Sequence, residues 1–184
     1  MSRLILVRHS IPAIEPEMLS EDWVLSDTGR GAADQLAKAL LPYSPKVVLS
    51  GPEPKILETA TIIAGRLGLS ATPLSGLAEH ARRSTKFAER EEFEASIREL
   101  FRRSSEVVYG EESGDATFFR FAATVDNAIA ENPSDTVIAV SGGTAICLFI
   151  AKRQGVEAFS LWRTLRMPMA FVLDRDTWQT QAVY

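Results

Sequence analysis

The residues best able to do chemistry here are Arg8 and His9, which follow the run Leu4-Ile5-Leu6-Val7. An imidazole nitrogen is a competent nucleophile toward phosphorus, and a neighbouring guanidinium can clamp two phosphate oxygens through its planar fork. An ordinary strand end with two solvated polar residues would read the same way, so the dipeptide alone does not decide. A second informative stretch is Val140-Ser141-Gly142-Gly143-Thr144. A buried strand that turns through glycines into a helix leaves the first helical amides free, which suits an anion. The same stretch also fits a serine nucleophile elbow, Ala139-x-Ser141-x-Gly143, or a plain tight strand-helix junction. The elbow class places its base histidine after the serine, and no histidine follows His80.

Composition narrows the classes further. The 184 residues are 46% hydrophobic, enough for one globular domain, 1–184, with a sizeable core. A net charge of -4 argues against a nucleic-acid partner or an anionic membrane surface. One cysteine and two histidines make a thiolate or imidazole metal site unexpected, and no cofactor is expected. Cys147 lies in an apolar run as core filler, consistent with a reducing compartment. No apolar run is long enough to cross a membrane, and the first strand begins at once, leaving no room for a signal sequence. A cytoplasmic protein is the expectation.

These residues need elements to carry them. Leu4–Val7 reads as a central strand covered on both faces, as strands of parallel sheets are. Ile11 to Val24 shows no period. A helix is predicted from Ser26 or Asp27, with Ala33, Leu36, Ala37 and Leu40 on one face before Pro42. Lys46–Ser50 is a second strand. A helix follows it through Ile56, Ala60, Ile63, Ala64 and Leu67 to Gly68, and Ala71–Leu74 is a third strand. That alternation predicts an α/β sheet with right-handed crossovers, its ligands at the strand carboxyl ends. From His80 to Glu112 the chain is densely charged, with Phe93, Ile97, Leu100 and Phe101 as one helical stripe. Phe118 to Ile129 is a further helix, Thr136–Ser141 a second fully apolar strand, and Ile146 to Gly155 another helix. Met169–Asp174 and Trp178–Tyr184 read as a closing pair of edge strands.

In order along the chain, these segments resemble the histidine phosphatase superfamily, the phosphoglycerate-mutase-like proteins. Leu6-Val7-Arg8-His9-Ser10 is similar to Leu-Val-Arg-His-Gly, and Leu25-Ser26-Asp27-Thr28-Gly29 to Leu-Ser/Thr-x-x-Gly. Ser50-Gly51-Pro52-Glu53-Pro54-Lys55-Ile56-Leu57-Glu58-Thr59-Ala60 looks like Ser-Ser-Pro-x-x-Arg-Ala-x-x-Thr-Ala, and Leu77-Ala78-Glu79 like Leu-x-Glu. Glu112-Ser113 with Arg120 is a looser match to Gly-Glu-Ser and a following arginine, and Val140-Ser141-Gly142-Gly143 aligns with Val-Ser-His-Gly.

The resemblance implies a three-layer α/β/α sandwich with a mostly parallel mixed sheet, and a helical lid-like segment at about residues 80–112. It implies metal-independent phosphomonoester hydrolysis, phosphatase or mutase-like, on a small phosphorylated substrate. His9 would become phosphorylated, Arg8 would hold the phosphoryl oxygens, and Lys55 would stand where the family has a second arginine. Glu79 would protonate the leaving oxygen, which requires its pKa to be raised. Gly142 falls where the family carries a second, cationic histidine; losing such a donor impairs phosphoryl transfer. Gly142 and Gly143 would still border the phosphate through their amides, and His80 is the other imidazole available to fill the gap. Arg82, Arg83 and Lys86 are candidates for gripping a charged substrate. The alternative is a catalytically inactive phosphate-binding module of the same fold.

Overall fold

Leu4 to Val7 are buried on both faces, and everything else is layered about them. The computed structural model describes residues 2–184. In chain order it forms β1 (Arg3–Arg8), α1 (Asp27–Leu40), β2 (Val47–Ser50), α2 (Pro54–Leu67), β3 (Ala71–Pro73), α3 (Arg90–Arg102), α4 (Gly114–Glu131), β4 (Val137–Ser141), α5 (Gly143–Gln154), α6 (Ala158–Arg163), β5 (Met169–Asp174) and β6 (Thr180–Val183). The strands make one sheet in the order β3-β2-β4-β1-β5-β6. The first four are mutually parallel, and β5 and β6 run antiparallel.

Strand alternation splits the core in two. Ile5, Val7, Val48, Ile138 and Val140 face α1 and α2 through Leu36, Leu40, Ile56 and Ile63. Leu4, Leu6, Leu49, Val137 and Ala139 face α4 and α5 through Phe121, Val125, Ile146 and Phe149. This is the expected three-layer α/β/α sandwich. Its topology also makes the crevice. β1 and β4 are neighbours in register from Leu4↔Val137 to Arg8↔Ser141, yet the helices that follow them leave on opposite faces. Their connections diverge at the carboxyl ends and open a gap between them.

Local signals set the helix ends. The Ser26 hydroxyl accepts from the Gly29 amide at 3.0 Å and caps α1. Pro54 opens α2, and Gly68 closes it in the left-handed region at φ 69°. Two features differ from the sequence reading. β5 is not an edge strand: it lies between β1 and β6, with Met169 to Leu173 all buried, and β6 alone closes that side. The short helix α6 was not anticipated, because six residues with no buried side chain carry no readable period. No helix among the described residues is long and apolar enough to cross a membrane.

Candidate active site

Arg8 and His9 leave the end of β1, where the His9 amide donates to the Ser141 carbonyl at 3.0 Å. Two further contacts fix this turn. The Ser10 amide donates to Thr59 Oγ1 at 3.0 Å, and Ser10 Oγ donates to the Gly29 carbonyl at 2.7 Å. Gly29 must be glycine, since a Cβ there would lie 2.0 Å from the Ile11 carbonyl oxygen. The Leu-Ser-x-x-Gly and Thr-Ala segments are thus the struts that hold the histidine. They act on its position, not on a ligand.

His9 is 7% exposed, and its Nδ1 donates to the Ser10 carbonyl at 2.8 Å. A carbonyl can only accept, so the proton sits on Nδ1 and Nε2 keeps its lone pair. Burial, then the charges of Lys55 and Arg8, push the imidazole pKa down to about 3. At neutral pH His9 is an uncharged imidazole under the influence of two cations. Arg8 lies against the start of α5, its Nε 3.0 Å from where a Cβ on Gly143 would stand. That Nε is buried and has no hydrogen-bond partner among the described residues.

Lys55, on the first turn of α2, is 3% exposed. The irregular stretch before α1 wraps over it: Lys55 Nζ donates to the Ser20 carbonyl and lies 5.3 Å from the centre of the Trp23 ring. A helix N-terminus is a poor place for a cation. Burial and the Arg82 charge draw its pKa down to about 8, opposed by Glu79, Glu53 and Glu21. It is still largely protonated at neutral pH.

Glu79 departs from expectation. It follows a 3-10 turn, Ser75–Leu77, and its carboxylate is seated on the first turn of α5. Oε2 accepts from the Thr144 amide at 3.0 Å, and Oε1 accepts from Ala145 and His80 amides at 2.8 Å each. A Cβ on Gly142 would lie 2.2 Å from Glu79 Oε2, so this carboxylate fills the space above the glycine. Burial alone would raise its pKa. The Arg82 charge and the three amides outweigh burial and hold the pKa at about 2. The expected raised pKa of Glu79 is therefore corrected: in the resting site it is a firmly ionised internal anion.

The Glu79 loop is clamped from behind. Arg120 donates to the carbonyls of Gly76, Ala78 and Glu79 at 3.1, 2.7 and 2.7 Å, and pairs with Glu112 at 2.6 Å. Glu112 Oε1 also takes the Ala81 amide at 2.8 Å. The motif carrying Glu112 and Arg120 is thus a backbone fastener, a role its sequence did not disclose. His80 is 2% exposed. Its Nε2 donates to the Glu112 carbonyl at 2.9 Å, and its ring stacks on Tyr109. The ring is thus turned to the loop, while Glu79 and not His80 occupies the space over Gly142.

A cavity of about 470 Å³ opens outward from these groups, lined by Glu53, Lys55, Glu79, His80 and Arg82 among others. Arg8 and His9 do not line it; Glu79, interacting with both, stands at the boundary. Arg82 Nη1, Glu53 Oε2 and His80 Nδ1 are buried without hydrogen-bond partners among the described residues. Of the other candidate cations, Arg83 is exposed and engaged with Glu21, and Lys86 is exposed. Glu53 was not singled out in the sequence, where it reads as an ordinary acid before a helix.

Two of these groups set an acid response. An unfolded imidazole binds its proton below about 6.5, whereas folded His9 refuses it until about 3. Unfolded Glu79 takes a proton below about 4.5, and folded Glu79 not until about 2. In both windows the unfolded chain binds more protons, so stability falls as pH falls. The melting temperature should drop by several degrees between pH 6.5 and 4. His9→Asn should flatten the upper part of that decline; an unchanged slope in this variant would contradict the assignment.

The profile of the Histidine phosphatase superfamily (branch 1) matches residues 4–175. The chain belongs to this superfamily. No curated protein matches it. Among solved structures, this histidine phosphatase is similar to mycobacterial glucosyl-3-phosphoglycerate phosphatase in complex with VO3. The TM-score is 0.79 at 19% identity, over 99% of this chain and 98% of that one. An Entamoeba histolytica phosphoserine phosphatase mutant in complex with phosphoserine gives a TM-score of 0.76 at 17% identity, over 100% and 96% of the two chains. YhfR of Bacillus stearothermophilus gives 0.77 at 19% identity, over 99% and 96%. At these identities the likeness shows the fold.

Proposed function

We propose that this histidine phosphatase is a metal-independent phosphomonoester hydrolase that works through a phosphohistidine on His9. The observation that carries the reading is His9 itself. It is buried and neutral, its Nδ1 proton is held by Ser10, its Nε2 keeps its lone pair, and the charges of Lys55 and Arg8 bear on its ring. A mere anion pocket has no need for a deprotonated imidazole with a fixed tautomer.

In this reading the phosphoryl group enters between Arg8, Lys55 and the first amides of α5. Glu79 then gives up those amides, and the arriving oxygens take the two hydrogen bonds it made there. Nε2 attacks phosphorus, the P–O bond to the leaving oxygen breaks, and that oxygen takes a proton. Water then attacks phosphorus and the P–N bond breaks, releasing phosphate and restoring neutral His9. The cations and amides stabilise charge on the equatorial oxygens, where most of phosphoryl-transfer catalysis resides. Residues 80–83 and Glu111 supply part of the cavity wall, in keeping with a covering role for the 80–112 segment. Similar structures are complexes with phosphoserine, 3-phosphoglyceric acid and inorganic phosphate. A small phosphorylated molecule is the class proposed here too.

The seat of Glu79 favours a second reading, a phosphate-binding module whose turnover has lapsed. Rapid quenching after mixing with 4-nitrophenyl phosphate separates the two. An acid-labile, alkali-stable phosphoenzyme that forms and decays supports the enzyme. Phosphate binding with no phosphoenzyme and no nitrophenol release favours the module.

A further inference from the structure

Three cations line the cavity that opens outward from the site: Lys55, Arg82 and Arg83. Two of them are engaged. Lys55 donates to the Ser20 carbonyl, and Arg83 forms an ion pair with Glu21. Arg82 takes part in no ion pair among the described residues, and its Nη1 is buried without a hydrogen-bond partner. The guanidinium is nevertheless held in place. Its Nε lies 3.5 Å from Ser20 Oγ, and its central carbon stands 5.1 Å from the centre of the Phe93 ring. The backbone on either side is pinned by two acids, Glu112 Oε1 accepting from the Ala81 amide and Glu111 Oε2 from the Arg83 amide, each at 2.8 Å. The acids on the cavity wall have other work. Glu21 holds Arg83, Glu111 holds the Arg83 and Ser84 amides, Glu79 is seated on α5, and Glu53 Oε1 takes the Glu79 amide. Asp22 is exposed to solvent.

A guanidinium on an anchored backbone, with a donor left open, is suited to an anion that arrives from outside. Arg82 lines the cavity that Arg8 and His9 do not, so what it meets is the leaving half of the substrate. On the reading that His9 is the phosphoryl acceptor, we infer that Arg82 is a specificity residue whose free guanidinium edge takes a carboxylate carried by the alcohol half of the substrate. A single charge fits this wall better than a second phosphate does, because Glu21, Asp22, Glu53, Glu79 and Glu111 all repel a dianion there.

The pairing also reaches Glu79. At rest the Arg82 charge and the amides of His80, Thr144 and Ala145 together keep that carboxylate ionised. A phosphoryl group on the α5 amides and a carboxylate on Arg82 remove most of this support at once. Glu79 can then take a proton from solvent, pass it to the leaving oxygen as the P–O bond breaks, and regain it from the water that attacks phosphorus. A substrate without the carboxylate leaves Arg82 uncompensated and Glu79 charged. Its disadvantage therefore shows in kcat as well as in KM.

The test is a matched pair of esters. 3-Phosphoglycerate carries a carboxylate where glycerol 3-phosphate carries a hydroxymethyl group, and the two are otherwise the same. Wild type should favour 3-phosphoglycerate by ~10- to 100-fold in kcat/KM, with part of the gain in kcat. Arg82→Gln should shrink the ratio to less than ~3-fold. Arg82→Lys, which keeps the charge and loses the planar fork, should fall between the two. Arg83→Gln should keep the wild-type ratio. Equal kcat/KM on the pair in wild type, or a ratio that survives Arg82→Gln in a protein shown folded by thermal melt, would overturn the inference while leaving phosphohistidine chemistry intact. A stronger preference for 1,3-propanediol bisphosphate than for 3-phosphoglycerate would overturn it too, by giving Arg82 a second phosphate to hold. Should Arg82→Gln fail to fold, the wild-type ratio and Arg82→Lys decide. If wild type forms no phosphoenzyme and turns over neither ester, the enzyme reading falls by itself. Calorimetric titration of the same pair then decides for Arg82, with the same ratio expected in affinity and equal affinities overturning it.

Discussion

His9→Ala is expected to lower phosphomonoester turnover by ~10⁴-fold or more while phosphate affinity stays within ~3-fold of wild type. The two numbers separate because His9 has two separable properties. As the nucleophile it makes the bond on which the two-step route depends, and the other imidazole, His80, is turned to the Glu112 carbonyl. As a ligand contact it is neutral, with its pKa near 3, so it adds no charge to the attraction for phosphate. That attraction belongs to Arg8, Lys55 and the amides of α5. Initial rates on 4-nitrophenyl phosphate and calorimetric titration with inorganic phosphate measure the two halves. Turnover above about one hundredth of wild type would mean that water attacks the ester directly and that His9 is not the acceptor. A matching collapse of phosphate binding would instead make the imidazole a binding group.

Glu79→Gln is expected to do the reverse, tightening inorganic phosphate by ~10- to 100-fold. In wild type the ligand must displace an ionised carboxylate from the same amides, then sit beside it. At about 4 Å, and with the effective dielectric of a protein interior, one pair of like charges costs about 4 kcal/mol. A change of 10- to 100-fold, about 1.4 to 2.8 kcal/mol, allows for part of that being relieved as Glu79 turns away. The glutamine keeps the volume and can still accept from one or two amides, so the loop should remain folded under its Arg120 clamp. Unchanged or weaker phosphate binding in this variant would mean that the ligand does not use the amides of α5. Gly142→His probes the same space from below. Gly142 has φ −85°, so a side chain brings no backbone strain, but its Cβ needs room now held by the Glu79 carboxylate. Alone it should lower the melting temperature and gain little activity. Combined with Glu79→Gln, whose side chain can swing off the helix without stranding a charge, it should gain ~10-fold in turnover over Glu79→Gln alone. No gain in the double variant would show that a cationic donor at this position is not what limits the rate.

Much of the framework was readable because its signals are local. Leu4 to Val7 and Val137 to Val140 announce central strands by continuous apolar character, and Ser26, Pro54 and Gly68 mark helix ends by their own chemistry. The same local logic was available for β5. Met169-Ala170-Phe171-Val172-Leu173 is as continuously apolar as β1, and its interior place follows from that pattern rather than from its lateness in the chain. The placing of Arg8, His9, Lys55, Glu79 and Gly142 about one end of the sheet followed from each one following an apolar strand or opening a helix. What could not be read was the state of the carboxyl groups. The pKa of Glu79 depends on an empty volume over Gly142, 63 positions along the chain, and on amides of a helix that begins beyond it. Glu53 owes its orphaned oxygen to a fold-back over Gly51 that leaves no trace in a helical or strand period.

The carboxylate seated on α5 also bears on how a catalytic cycle ends. An electropositive pocket that grips phosphate tightly is slow to let it go, and many enzymes are limited at that step. Here the pocket carries its own replacement ion on a short tether. Once the ester bond is broken, Glu79 can return to the Thr144 and Ala145 amides at a local concentration that no dissolved anion matches, and its return helps expel the product. Sulfate, bicarbonate and free phosphate meet the same competitor on the way in, so ambient salts would occupy the pocket less than its cations alone suggest. On the proposed reading, the residue that weakens binding at equilibrium would thereby keep the enzyme cycling.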